Sequence, residues 1–425
     1  LILYHCKIKH LKLFNLKYKV LFFFIFSLLS SVQGQINGLE LLQGKESQKL
    51  EFTFTRGFIV LEVRYAGFFP LKFVFDTGAQ NTIFFDRFTA ELAPISYDRV
   101  IHVVGSDLSS SVAARIARNM PIKPGHLAEV KRDVIVLEED FIHMDEIIGE
   151  PVHGILGADF FKGLIVEINY KKQYLRLFDP KHFKEEKLNT YTPLEVDFAD
   201  SKPYIVGQVT MPGGQKSRVK MLMDTGASIS MLIHNDTDAS LILPPNVIRG
   251  NLGKGISGNL SGYVGRIRQL TFSGFSFEQM VSYFQEYNAD LFHDTTTVKR
   301  NGIIGNFILD RFNVIIDYLN EKVYVKPEKK YNRHFAFDRS GIVVFAHGKD
   351  LKQFVVSDVI ESSPAYEAGV RANDIITKVC FSSSQNLSLD RLNHIFSGKV
   401  GKKIKIKVMR EGKTLQFTFR LRELL

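Results

Sequence analysis

The sequence contains very little cysteine and no tryptophan, with only 2 cysteines in 425 residues. So few thiols exclude a small fold held together by disulfides and a cysteine-rich zinc or iron–sulfur protein. Apolar residues make up 45% and charged residues 24%, with 31 glycines and 13 prolines. This composition excludes a collagen-like, mucin-like or fully disordered chain. The length indicates about three globular domains.

A strong positive charge is also lacking once the first segment is set apart. The net charge is +10, but residues 1–34 hold five lysines and no acidic residue, which leaves +5 on the other 391 residues. No run of lysine and arginine is interleaved with aromatic residues. The sequence therefore predicts no nucleic-acid partner.

Residues 1–34 have the pattern of a secretory signal peptide. A lysine-rich beginning is followed by an apolar run at residues 20–32, and the small Gly34 offers a cleavage point. The run is too short to span a bilayer comfortably, although an uncleaved signal would leave a membrane anchor. We therefore expect an exported protein that is periplasmic, on the cell surface or secreted.

Two short motifs recur with a constant separation. The sequence FVFDTGAQNTIF at 73–84 matches MLMDTGASISML at 221–232, and GILG at 154–157 matches GIIG at 302–305. Both pairs are separated by 148 residues (76 to 224 and 154 to 302), and the two motifs of each copy are 78 residues apart. This agreement in type, order and spacing predicts two duplicated lobes, at residues 35–180 and 181–328.

In each copy a continuous apolar stretch leads into Asp-Thr-Gly-Ala. Such a stretch predicts a strand buried on both faces, and Gly78 and Gly226 permit a tight turn directly after it. In a two-fold arrangement the turns would meet and place Asp76 against Asp224. Two adjacent carboxylates cannot both ionise readily, so the pair would hold one proton and offer an acid beside a base.

Residues 50–328 resemble the retropepsin and pepsin-like aspartic peptidases, because this motif occurs twice and each copy is followed by a hydrophobic-hydrophobic-Gly element. The resemblance implies a mainly β fold, a bilobal acid-protease barrel pseudo-dimer that cleaves proteins or peptides and needs no cofactor and no homodimer. A non-catalytic peptide-binding or scaffold protein that retains this fold is the alternative. The implied site residues are Asp76 and Asp224 as the catalytic pair, Thr77 and Thr225 as interlocking hydroxyls, Gly78 and Gly226 nearest the substrate, and Ala79 and Ala227 completing the turns.

Alanine follows the glycine in both turns, where pepsin-like members often have a hydroxyl that can stabilise the ionised carboxylate. We therefore expect activity to be greatest at weakly acidic or neutral pH. His143 and His153 lie ten residues apart with Asp145 nearby. We interpret them as polar surface residues and predict no metal ion.

Glycine-rich segments between the two motifs of each copy are candidate flaps. In the resembled family a hairpin in this interval closes over the substrate. Residues 253–258 (GKGISG) also match a dinucleotide-binding fingerprint, but the glycines that follow disfavour the helix that this fingerprint requires, so we predict a hairpin. Which lobe supplies the working flap stays open between two sets: Gly105 and Ser106 in the first lobe, and Gly255, Ile256, Ser257 and Gly258 in the second.

Residues 335–425 do not repeat the lobe and resemble a PDZ domain, an α+β fold. The resemblance rests on SPA at 363–365, AGV at 368–370, NDII at 373–376 and a helix-like stretch at 388–397, although Asn373 stands where glycine commonly precedes the aspartate. The domain would recruit or gate substrates, or serve only to pack against the lobes. A C-terminal peptide ligand would add as a strand, with its carboxylate received by the backbone of Ser340, Gly341, Ile342 and Val343.

Overall fold

The computed structural model describes residues 38–104, 111–255, 258–286, 299–329 and 331–425. Strands predominate over helices, which confirms the mainly β fold class. Within these residues, no helix is both long and apolar enough to cross a membrane.

The described residues of the first half of the chain form eleven strands. Eight of them make one sheet in the order β2-β3-β4-β9-β5-β8-β7-β6, and β1, β10 and β11 belong to another sheet. The strands are β1 (Ser47–Glu51), β2 (Thr53–Thr55), β3 (Phe58–Tyr65), β4 (Phe69–Phe75), β5 (Ile83–Phe84), β6 (Ser96–Val104), β7 (Ser111–Pro124), β8 (Val130–Leu137), β9 (Gly154–Leu156), β10 (Ile165–Asn169) and β11 (Tyr174–Phe178).

The second half repeats this arrangement, with an eight-stranded sheet in the order β13-β14-β15-β20-β16-β19-β18-β17. The same pairs are parallel in both sheets: β4 with β9 and β5 with β8 in the first, β15 with β20 and β16 with β19 in the second. The strands are β12 (Thr192–Pro193), β13 (Val196–Ala199), β14 (Lys202–Thr210), β15 (Lys216–Met223), β16 (Met231–His234), β17 (Val247–Gly255), β18 (Gly258–Phe272), β19 (Phe275–Gln285), β20 (Gly302–Ile304), β21 (Phe312–Asp317) and β22 (Lys322–Pro327).

A third sheet joins the two halves in the order β1-β11-β10-β21-β22-β12. At its centre β10 pairs antiparallel with β21, so that Glu167 lies opposite Ile315. These two positions are themselves 148 residues apart, which means that equivalent residues of the two halves face each other here. Such self-complementary pairing is the signature of a local two-fold axis.

Helices in the described residues are short. The α-helices are α1 (Arg87–Ala90), α2 (Met144–Ile148), α3 (Asn306–Leu309), α4 (Pro364–Glu367) and α5 (Leu389–Phe396), and the 3-10 helices are Gly38–Leu42, Ala158–Phe160, Pro180–His182, Glu185–Thr190 and Ser384–Asn386. The helices after the two Gly-Ile-(Leu/Ile)-Gly elements occupy equivalent positions in the repeat, because they begin at residues 158 and 306.

One hydrophobic cluster runs through both halves beneath these sheets. Phenylalanine supplies much of it: Phe75 packs edge-to-face on Phe161 with ring centroids 5.0 Å apart, and both rings are fully buried. Burying a side chain of this size stabilises the fold by about 2–3 kcal/mol. The central strands β4 and β15 are therefore rigid supports for whatever follows them.

The C-terminal region has its own sheet, in the order β23-β24-β25-β27-β28 with β26 on β25, and its own hydrophobic cluster. Asn373 has φ 68°, a conformation that favours glycine but that asparagine tolerates, which explains how it replaces the expected glycine. The strands are β23 (Ile342–His347), β24 (Gln353–Val359), β25 (Ile375–Val379), β26 (Ser382–Ser383), β27 (Lys403–Arg410) and β28 (Lys413–Arg420).

Replacement of Ser388 by alanine should destabilise the C-terminal region. The Ser388 hydroxyl accepts the N–H of Arg391 at 3.1 Å and caps α5, so its loss should lower the free energy of unfolding by about 1 kcal/mol. Urea unfolding followed by circular dichroism measures this change. Ser383→Ala is the matched control, because the Ser383 side chain is exposed and caps nothing. Equal effects of the two substitutions would contradict the capping role.

Candidate active site

The turns that carry Asp76 and Asp224 extend from the ends of β4 and β15. The N–H of Asp76 donates to the carbonyl of Leu156 at 3.0 Å, and the N–H of Asp224 donates to that of Ile304 at 3.0 Å. Each aspartate is therefore fixed by the neighbouring parallel strand, β9 or β20. This is the role of the second repeated motif, which supplies the adjacent backbone.

Two buried threonines bind the turns to each other. The hydroxyl of Thr225 accepts the N–H of Thr77 at 3.0 Å, and the hydroxyl of Thr77 accepts the N–H of Thr225 at 3.1 Å. Each hydroxyl also donates across the two-fold axis, from Thr77 to the carbonyl of Met223 at 2.6 Å and from Thr225 to that of Phe75 at 2.8 Å. Four reciprocal hydrogen bonds therefore set the separation of the two turns.

The glycines of the turns let the carboxylates approach. A Cβ placed on Gly78 would lie 2.6 Å from Cγ of Asp224, and one on Gly226 would lie 2.8 Å from Oδ1 of Asp76. The N–H of each glycine also donates a hydrogen bond of 2.7 Å to Oδ1 of the aspartate in its own turn. The N–H of Ala79 donates a further hydrogen bond of 3.1 Å to Oδ1 of Asp76. Any side chain at either glycine would displace the opposite carboxylate.

Asp76 and Asp224 form a coupled pair. Burial raises the pKa of Asp224 well above its usual range, and the nearby charge of Asp76 raises it further. Burial also raises the pKa of Asp76, but a hydrogen bond from Asp224 and the backbone N–H groups oppose that rise. The two carboxyl groups therefore titrate as a coupled pair, in which ionisation of one opposes ionisation of the other.

A cavity of about 1100 Å³ opens over this pair. Its walls come from both halves of the chain and also from the C-terminal region. From the first half they include Phe58, Ile135 and Ile155, from the second half Ile229, Val281 and Tyr283, and from the C-terminal region Phe337, Val343 and Asn393. Such a predominantly apolar cleft with a few convergent polar groups suits an extended peptide.

Two regions of the chain match models of known protein families. A family model described as "Aspartyl protease" matches residues 207–307, and one described as "PDZ domain" matches residues 325–421. The chain contains an aspartyl protease-like region followed by a PDZ domain. No curated protein matches the chain.

Two solved structures resemble parts of the chain. The aspartic proteinase from Irpex lacteus is 14% identical, with 68% of this chain and 100% of that one covered and a TM-score of 0.41. A photosystem II D1 C-terminal processing protease is 23% identical, with a TM-score of 0.19. That match covers 20% of this chain and 23% of the other.

Asn306 supports the aspartyl protease-like site, although sequence reasoning did not single it out. Its side-chain N–H₂ donates to the carbonyls of Thr225 at 2.6 Å and Gly57 at 2.7 Å, and its Oδ1 accepts the hydroxyl of Tyr170 at 2.7 Å. The repeat held a signal for it, because the equivalent position of the first copy is Ala158. Because alanine has no polar side-chain atoms, only the second copy can make these side-chain hydrogen bonds.

Two cations near the aspartates were also missed. Burial lowers the pKa of the Lys202 ammonium group and the charge of Arg300 lowers it further, while the charges of Asp76 and Asp224 oppose this shift. The charge of Arg300 in turn opposes the rise in the pKa of Asp224 that burial and Asp76 cause. Neither residue belongs to a repeated motif, so only the folded chain brings them to the site.

The structure describes two of the six predicted flap residues, Gly255 and Gly258. Gly105, Ser106, Ile256 and Ser257 fall outside the described residues, while the backbones of Gly255 and Gly258 pair with each other across β17 and β18. A strand therefore follows the GKGISG segment, where a dinucleotide-binding fingerprint would need a helix. The flap function of these segments stays a prediction.

One group of side chains has the chemistry to hold a cation. Ligand atoms of Asp140, His143 and Asp145 lie within 4.8 Å of one another at the surface near α2. His153 does not belong to this group, because its Nδ1 accepts the backbone N–H of Lys72 at 3.1 Å. The expected absence of a metal ion stays a prediction.

Thr77→Val should destabilise the protein far more than Thr77→Ser. Valine would leave the buried N–H of Thr225 and the carbonyl of Met223 without partners, which costs about 3 kcal/mol. Serine keeps the hydroxyl and should cost about 1 kcal/mol. Chemical unfolding of the two variants beside the unaltered chain measures the difference. Equal losses would show that packing of the Thr77 methyl group, and not its hydroxyl, holds the turns together.

Proposed function

We propose that this chain is an exported aspartic endopeptidase whose catalytic pair is Asp76 and Asp224. One observation carries the proposal: two buried aspartates, each with its pKa raised by burial and coupled to the other, line a cleft large enough for a peptide. A protein that only bound peptides would gain nothing from two buried carboxylates in contact, because their desolvation and repulsion oppose folding. Peptide hydrolysis, in contrast, requires an acid and a base side by side, which such a pair provides.

In the proposed reaction, Asp76 and Asp224 act on one water molecule and one peptide bond. Asp76 removes a proton from the water, whose oxygen attacks the carbonyl carbon, while Asp224 donates its proton to the carbonyl oxygen. When the tetrahedral gem-diol collapses and the C–N bond breaks, Asp76 passes the proton it took from water to the amide nitrogen. Asp224 takes a proton from a diol hydroxyl, which leaves the carboxylic acid product and restores the pair. Because one chain supplies both aspartates, the proposal needs no homodimer.

The substrates are proteins or peptides, and the PDZ domain is proposed to bind polypeptide segments and thereby recruit or gate them. Its groove, between β23 and α5, contributes Val343 and Asn393 to the cleft walls. The proposal places the protein outside the cytoplasm, on the strength of the signal pattern at residues 1–34, which lie outside the described residues.

Asp76→Asn and Asp224→Asn should each reduce the cleavage of unfolded casein about a thousandfold or more, because each variant lacks one of the two proton-transfer groups. Liquid chromatography of the fragments with mass spectrometry measures the cleavage. Asp98→Asn is the control, since Asp98 is an exposed carboxylate paired with Arg118 outside the cleft. Unchanged cleavage in both dyad variants would refute the proposal. Specific peptide binding without cleavage by the unaltered chain would favour the scaffold alternative.

Lys202→Met should move the alkaline limb of the pH–rate profile to higher pH. The profile should be bell-shaped, because activity is lost at low pH when Asp76 gains a proton and at high pH when Asp224 loses one. Without the Lys202 cation nearby, the doubly ionised state of the two aspartates is less stable, so the pKa for loss of the Asp224 proton rises. Activity should therefore be lost at a higher pH than in the unaltered chain. Lys216→Met, an exposed site on β15, is the matched control. A sharp optimum near pH 2 in the unaltered chain would contradict the expected weakly acidic or neutral optimum.

A further inference from the structure

The PDZ groove is continuous with the cleft above the aspartates. Residues of β23 and α5, including Val343, Phe345 and Asn393, line the same cavity of about 1100 Å³ as Asp76 and Asp224. The two domains also touch directly, since α2 packs against β23 and Glu146 pairs with His347 at 2.8 Å. One extended ligand could therefore contact both the aspartates and the PDZ groove within this cavity.

The outer edge of β23 can accept another strand. In the order β23-β24-β25-β27-β28, β23 is a terminal strand, and no other strand of the described residues pairs with its outer side. Val343 is partly exposed and lines the cavity. An extended polypeptide could therefore bind along β23 through main-chain hydrogen bonds.

The loop before β23 already contains a carboxylate. Oδ1 of Asp338 accepts the N–H of Ser340 at 2.8 Å, the hydroxyl of Ser340 at 2.9 Å and the N–H of Gly341 at 2.6 Å. The N–H of Ile342 donates to the Ser340 hydroxyl at 3.0 Å. Three of the four N–H groups predicted to receive a ligand carboxylate thus have acceptors inside the loop.

Charged groups of both signs surround the loop. Asp358 and Asp390 line the cavity together with Asp338, and the buried cation Arg56 lines it and interacts with Asp390. Arg333, a cation of the adjoining segment, is paired with Asp310 at 2.6 Å. Burial raises the pKa of Asp338 to about 6, while its hydrogen bonds with Gly341 and Ser340 oppose the rise. A free C-terminus would find the donors of the loop already occupied by the side chains of Asp338 and Ser340.

We propose that the PDZ groove binds an internal stretch of the same polypeptide that lies across Asp76 and Asp224, and that Asp338 occupies the place of a C-terminal carboxylate. The inference rests on the proposed function in taking the occupant of the cleft to be a polypeptide substrate. The PDZ groove would then extend the substrate cleft. It would recognise the main chain of an unfolded polypeptide and would not require a free C-terminus.

Photo-cross-linking of the full chain tests this proposal without a known natural ligand. Benzoylphenylalanine is placed at Val343 in one variant and at Ile229, on the cleft wall, in another, both with Asp76→Asn to keep the probe intact. The probe is unfolded β-casein, and mass spectrometry maps the cross-linked casein residues. Benzoylphenylalanine at the exposed Gln416 on β28 is the control for random capture.

The proposal expects cross-links at Val343 to fall on internal casein segments, each at a constant spacing from the residue captured at Ile229. Cross-links concentrated in the last four casein residues, or no fixed spacing between the two sets, would overturn it. If the unaltered chain does not cleave casein but the cross-links are internal and evenly spaced, the endopeptidase proposal fails while the shared groove stands.

Asp338 variants test the occupied loop. Asp338→Ala frees the N–H groups of Ser340 and Gly341, so the cross-links from Val343 to the casein C-terminus should rise about tenfold. Asp338→Asn retains the side-chain oxygen as an acceptor and should leave the pattern internal. Near-ultraviolet circular dichroism checks that both variants fold. A C-terminal pattern already present in the unaltered protein, unchanged by Asp338→Ala, would show that Asp338 does not fill the loop.

Discussion

The exchange of hydrogen bonds between Thr77 and Thr225 is the constraint on which the rest of the site depends. Each hydroxyl accepts from one backbone group and donates to another, all on the opposite turn, so neither turn can shift without breaking bonds in a buried place. The separation of Asp76 and Asp224 follows from this lock. The coupling of their pKa values follows from their separation and burial, so the proposed acid–base chemistry would depend on two hydroxyls that take no part in it.

Much of this centre could be predicted from the sequence because it is built from repeated local pieces. A buried strand, a glycine turn and a neighbouring glycine-flanked strand each leave a readable pattern, and the constant offset of 148 residues relates the two copies. The opposition of Glu167 and Ile315 in the joining sheet preserves that same offset. Local patterns thus gave the positions of the motifs, and repetition indicated how they would meet.

The rest of the site could not be predicted because it depends on residues brought together only by folding. Lys202 and Arg300 influence the aspartates from outside the repeated motifs, and nothing in their local sequence indicates it. Asn306 left a faint signal as a departure from the repeat. Asp338 lies beside the predicted carboxylate loop, but whether its side chain turns into that loop depends on the backbone path, which the sequence does not reveal.

The position of the PDZ domain gives the cleft a property that neither domain has alone. In the proposed peptidase, a peptide in the cleft would contact the walls around Asp76 and Asp224. A terminal β-strand bordering the same cavity lengthens that contact by a further run of main-chain hydrogen bonds, and the His347–Glu146 pair lies where the two domains meet. Because main-chain contacts are indifferent to sequence, the added strand would raise affinity for extended chains in general and leave the choice of cleavage site to the pockets around Asp76 and Asp224.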